Sequence, residues 1–94
     1  MRWLPGLLLA ALLGCNSERA SADQCRIISN RLIALELKAM GFNDTALAER
    51  RQAEFAARYR DELASCVGRR LPPGAMTCVM SAKNAEVISH DCLR

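Results

Sequence analysis

Apolar residues are spaced in three different ways along the chain. They are almost continuous from Trp3 to Leu13, recur every three or four positions from Cys25 to Cys66, and beyond Gly68 come in short groups between breakers. The first run covers eleven residues and stops at polar Asn16, Ser17, Glu18 and Arg19. A permanent bilayer span needs about 20 apolar residues. With Met1-Arg2 as a short positive start, residues 1–14 have the order of a secretory leader.

The second regime predicts helices. Ser21-Ala22-Asp23-Gln24 reads as a capping box, in which a serine hydroxyl serves a free amide of the first turn and a glutamine reaches back. From there Cys25, Ile28, Leu32, Leu35 and Ala39 alternate spacings of three and four, one apolar stripe, with Arg26, Asn30 and Lys38 off it. Gly41 is placed as the left-handed terminator and Phe42 for the apolar contact that accompanies it, so the first helix is expected over residues 22–40. Asn43 is the expected cap of the second, with Phe42 and Leu47 as a staple around it. From Asp44 to Val67 there is no Gly or Pro, and Ala, Glu and Arg dominate, which predicts one unbroken helix. Its stripe is Phe55, Tyr59, Leu63 and Cys66, extended by Ala48 and Gln52. Glu54 and Arg58 form a favourable i to i+4 pair. Arg50, Arg51, Arg58 and Arg60 read as a solvated face balanced by Glu49, Glu54, Asp61 and Glu62.

Gly68 closes that helix, and Arg69-Arg70-Leu71-Pro72-Pro73-Gly74 is the one loop with strong breakers. Pro73 or its neighbour opens a third helix, with Met76, Val79 and Met80 expected inside. Asn84 stops it and caps a fourth from Ala85 to about Cys92, with Val87 and Ile88 inward. No stretch alternates with a period of two for long enough to predict a sheet. The expected fold is all-α, a small antiparallel helical bundle of two long and two short helices.

The residues at the end of the leader, Leu12-Leu13-Gly14-Cys15, resemble the lipobox of bacterial lipoproteins, with Leu13 its least typical member. The resemblance covers the leader alone. It implies a signal peptide of residues 1–14, cleavage before Cys15, a diacylglycerol on the Cys15 sulfur, and a fatty acyl group such as palmitate on the new amino terminus. Two or three chains would anchor far more firmly than one, at about 0.8 kcal/mol per buried methylene. Asn16 in place of Asp is similar to lipoproteins forwarded to the outer membrane of enterobacteria, so the expected location is exported and membrane-anchored, at the outer rather than the inner membrane. The competing reading is an ordinary leader cut after Ala20-Ser21-Ala22, which would discard Cys15. On the lipobox reading, residues 15–21 are the lipidated cysteine with a short polar tether, and residues 22–94 one domain.

Removing 14 of 94 residues leaves 80, a size at which one apolar core is barely sufficient and cross-links are expected. The mature part keeps 12 of the 13 Lys and Arg, since only Arg2 is lost, against 10 Asp and Glu, a net charge of +2 with signs interspersed. That balance excludes a concentrated nucleic-acid face. Of four aromatic residues one, Trp3, is in the leader, which leaves too few rings for a base- or sugar-stacking surface. No small-molecule ligand, cofactor or catalytic constellation follows from the remaining residues.

Cys25, Cys66, Cys78 and Cys92 are an even set in a small exported domain, the pattern of two disulfides. In an up-down-up-down arrangement all four fall at one end of the bundle. Cys78 and Cys92 lie six residues before and eight after Asn84, a mismatch of about 3 Å. For Cys25 and Cys66 the mismatch is six residues, about 9 Å, which requires tilt or a later start to the second helix. The spacing leans to Cys25–Cys66 with Cys78–Cys92 and leaves Cys66–Cys78 with Cys25–Cys92 open. A metal site of His90 with Cys66, Cys78 and Cys92 is disfavoured, because structural zinc sites bring their ligands as close cysteine pairs. The expected function is a non-enzymatic, lipid-anchored envelope protein that contacts another envelope protein. The alternative, by analogy only, is an inhibitor or immunity-type lipoprotein acting against a toxin or hydrolase through the Arg69–Gly74 loop.

Overall fold

The computed structural model describes residues 18–94. The leader and Cys15, with their expected cleavage and lipidation, lie outside the described residues. Strand β1 (Glu18–Arg19) is followed by helices α1 (Ala22–Ala39), α2 (Thr45–Arg58) and α3 (Arg60–Cys66), strand β2 (Arg70–Leu71), and helices α4 (Ala75–Ser81) and α5 (Ala85–Val87). The last runs into a π-helical turn, Ile88–Cys92. The protein is mostly helical, as the periodicity predicts.

Both ends of α1 form from local signals. Ser21 Oγ accepts from the Gln24 amide at 3.1 Å while Gln24 Oε1 accepts from the Ser21 amide at 2.9 Å, closing the capping box. At the far end Gly41 takes φ +92°, and the Phe42 and Gly41 amides donate to the Leu37 and Lys38 carbonyls at 2.9 and 3.0 Å. This pair of reversed bonds is the Schellman arrangement, which needs a residue at ease with positive φ. The expected stripe holds as far as Leu35; then Leu37 is buried and Ala39 exposed. The last two turns of α1 therefore present a different face from the rest.

The second long helix is divided. Asp44 caps it in place of Asn43, its carboxylate accepting from the amides of Ala46 and Leu47 at 2.9 and 3.3 Å. The helix breaks at Tyr59 (φ −111°, ψ 36°), where α3 begins. No residue type there breaks helices, so the reason is tertiary. Counted from the turn, Cys66 overshoots Cys25 by about 9 Å, and the change of direction at Tyr59 lets it arrive with a Cα–Cα separation of 6.1 Å. Glu54 pairs with Arg51 at 2.9 Å and not with Arg58.

A two-residue ladder also appears where only helices and loops are expected. Glu18 and Arg19 pair antiparallel with Leu71 and Arg70. The Ala20 amide donates to the Arg69 carbonyl at 2.7 Å, and the Gly68 amide to the Ala20 carbonyl at 2.8 Å. Ala20 is buried as a result. The polar stretch read as a tether thus joins the domain at Glu18, and two paired residues are too few to leave a periodic signal.

The core lies between α1 and the C-terminal segment. Ile28 and Leu35 meet Leu71, Ala75, Val79, Ala82 and Ile88, and the cysteine pairs belong to the same cluster. Val79 and Ile88 are completely buried. Met76 is half-buried, but Met80, expected inside, is exposed on the outer side of α4. Asn84 caps α5 by accepting from the Val87 amide at 2.9 Å. Arg31 crosses from α1 to donate to the Ala82 carbonyl at 3.0 Å.

Candidate functional site

The sulfur chemistry is structural. Cys25 is joined to Cys66 and Cys78 to Cys92, the latter with a Cα–Cα separation of 5.4 Å. The three cysteines that a metal site would have drawn on are therefore committed, and His90 is exposed. Among the described residues no group of three His, Cys, Asp or Glu side chains stands close enough to hold a metal ion. Nor is any of their helices long and apolar enough to cross a membrane.

The feature with binding character is a groove between the last turns of α1 and the length of α2. Ile33, Leu37 and Met40 form one wall, Leu47, Phe55 and Tyr59 the other, and Phe42 in the connecting turn closes one end. The space is about 590 Å³ and open to solvent. The shift of face at Leu37 sends this wall of α1 toward α2, and the Schellman turn fixes the position of Phe42. On the other wall Leu47, Phe55 and Tyr59 recur at multiples of four residues, so they line up on one side of the helix. Phe55 and Tyr59 pack ring against ring with centroids 4.6 Å apart.

Two helices that met fully would cover these side chains. Here Met40 is 64% exposed, Phe42 50% and Tyr59 39%, and neither α2 nor α3 has a buried residue. Behind the groove, Gln52 Nε2 donates to the Asn30 carbonyl at 3.1 Å, a polar tie between α1 and α2. The rim is charged with both signs: Glu36 from α1, and Arg51, Glu54 and Arg58 from α2. The site can therefore take up an apolar ridge flanked by charges of either sign, and it offers no nucleophile with a base beside it.

A second region is set by charge. Where β1 enters the domain, Arg19 donates to the Gly68 carbonyl at 2.9 Å, next to exposed Arg69 and Arg70. Arg26 is paired with Asp23 at 2.8 Å. Beside them a small apolar hollow lined by Ala22, Cys25, Leu63 and Val67 lies against the first disulfide, with Val67 46% exposed.

The periodicity places Phe55 and Tyr59 on the apolar stripe of the second helix but does not show that the stripe stays open. Met40, off the α1 stripe and beside the terminating Gly41, was the available signal that an apolar side chain had no inward position. No protein-family model, no curated protein and no solved structure matches this chain.

Proposed function

We propose that the protein is an exported, lipid-anchored envelope protein, non-enzymatic, that holds a binding groove away from the membrane for an amphipathic helical segment of another envelope protein. The groove with its uncovered Met40, Phe42 and Tyr59 carries this reading. Its place in the fold gives it meaning. The tether from Cys15 enters at the start of α1 and the groove lies at the other end. Eighteen residues of helix separate the two, about 27 Å.

The anchor is supported by the leader and by Cys15 directly after Gly14, and the two disulfides suit an oxidising compartment outside the cytoplasm. The competing cleavage after Ala22 fits the fold poorly. It would remove β1, the buried Ala20 and the Ser21 cap of α1, so a chain starting at Asp23 would lose part of its own core. Asn16 favours the outer membrane. Helices in antiparallel sequence, tied by the cysteine pairs, form the rigid support.

The groove has the features of helix-in-groove recognition: apolar side chains from two helices on either side of an open space, with charged side chains among them. Balanced rim charges favour a partner helix that carries both signs beside its apolar face. A photo-crosslinker at Met40, compared in intact membranes with one at Glu86 on the C-terminal segment, tests this. The reading expects one defined adduct from Met40 that Phe55→Asp abolishes, and none from Glu86. Recovery of monomer alone from Met40 would overturn it, and an adduct of twice the chain mass would replace the envelope partner with a second copy.

A further inference from the structure

We propose that the end of the domain where β1 meets β2 is an electrostatic docking face for an anionic phospholipid surface, which fixes the domain's orientation on its anchor. The inference rests on the lipid-anchor reading for its geometry. From Cys15 to Glu18 is three residues, at most about 10 Å of extended chain. Glu18 therefore cannot stand farther than that from the bilayer surface. That reach is comparable to the Debye length at physiological salt, about 8 Å, so charges at this end remain within the field of lipid headgroups.

The charge is distributed to match. Segments 18–26 and 66–71 carry Arg19, Arg26, Arg69 and Arg70 against Glu18 and Asp23, four to two. The mature chain holds 12 basic and 10 acidic residues in total, so everything else has eight of each and is neutral. The whole excess of positive charge sits where the tether enters. Asp23 is engaged by Arg26. Among the described residues no carboxylate pairs with Arg19, Arg69 or Arg70, and the nearest acids of α3, Asp61 and Glu62, lie a helical turn or more before Cys66. The β1–β2 register sets Arg19 opposite Arg70, with Arg69 the preceding residue, and Arg19 is bonded to the Gly68 carbonyl, so the three arginines share this end of the domain. Val67, exposed beside them, adds an apolar side chain at the level of the headgroups.

The mature chain has no tryptophan, because Trp3 belongs to the leader. Val67→Trp therefore provides a single reporter. Lipidated V67W is placed in vesicles of phosphatidylcholine alone and in vesicles that also contain phosphatidylglycerol. The expected result is a blue-shifted emission, quenched by brominated lipid, in the anionic vesicles only, weakened by salt and lost in Arg19→Gln/Arg69→Gln/Arg70→Gln. Arg69→Gln/Arg70→Gln keeps the Arg19 bond to Gly68 and serves as a second variant should the triple one fold poorly. Identical emission in both vesicle types, or an unchanged signal in the double variant, would overturn the proposal.

Intact mass of the same sample separates this from the anchor reading. If the protein carries no lipid, its sedimentation with preformed vesicles decides the matter. The docking face then predicts binding to anionic vesicles that falls roughly five-fold per arginine removed; no preference for anionic vesicles would refute it independently of lipidation.

Discussion

The two faces of α1 meet very different partners. One packs against the C-terminal segment, where Val79 and Ile88 are wholly buried and the chain is closed on itself by Cys78–Cys92. The other meets α2 and α3, which together contain no buried residue; Cys25–Cys66 and the Gln52 bond to Asn30 tie them to α1. Apolar burial stabilises the first half, and a covalent loop constraint substitutes for it in the second. A helix pair held by a cross-link does not have to close its apolar seam, and the open seam is what we propose a partner helix fills.

Perturbations of the two halves should differ in size and kind. The largest effect is expected from Cys25→Ala/Cys66→Ala. The bridge closes a segment of 41 residues, for which loop entropy gives about 4 kcal/mol. Hydrogen exchange should then show α2 and α3 opening while amides around Val79 stay protected. Uniform loss of protection would erase the distinction between the halves. Next, Ile88→Ala should lower unfolding free energy by about 3 kcal/mol, within the range for emptied core positions. Phe55→Ala should cost less than half as much in the same denaturant titration, because its side chain is already partly hydrated. Ser21→Ala removes the α1 cap at a cost of about 1 kcal/mol. Met40→Gln should change stability by no more than about 0.5 kcal/mol, yet weaken capture of the proposed partner, which would separate binding from folding in one side chain.

What could be read from the sequence follows the same division. The capping box at Ser21 and the Gly41 turn were legible because each is built from neighbours, with few competing solutions. The break at Tyr59 was not, since Arg58, Tyr59 and Arg60 all tolerate helix and the cause lies 34 residues away, at Cys25. The β1–β2 bridge is too short to impose a period. The groove escaped for a more general reason: periodicity identifies Phe55 and Tyr59 as apolar on one face, but not whether anything in the same chain covers that face. The cysteine pairing was open for a related reason, because cysteines expected at one end of a bundle can be joined in several ways.

The proposed anchor on Cys15 underlies both proposals, the groove held away from the membrane and the docking face beside the β1–β2 ladder. Intact-mass spectrometry of protein isolated from membranes without reduction measures it directly. The account predicts a polypeptide that begins at Cys15, carries diacylglycerol and an N-terminal acyl chain, and is four hydrogens lighter than its reduced form. A lipid-free chain that begins at Asp23 would contradict it.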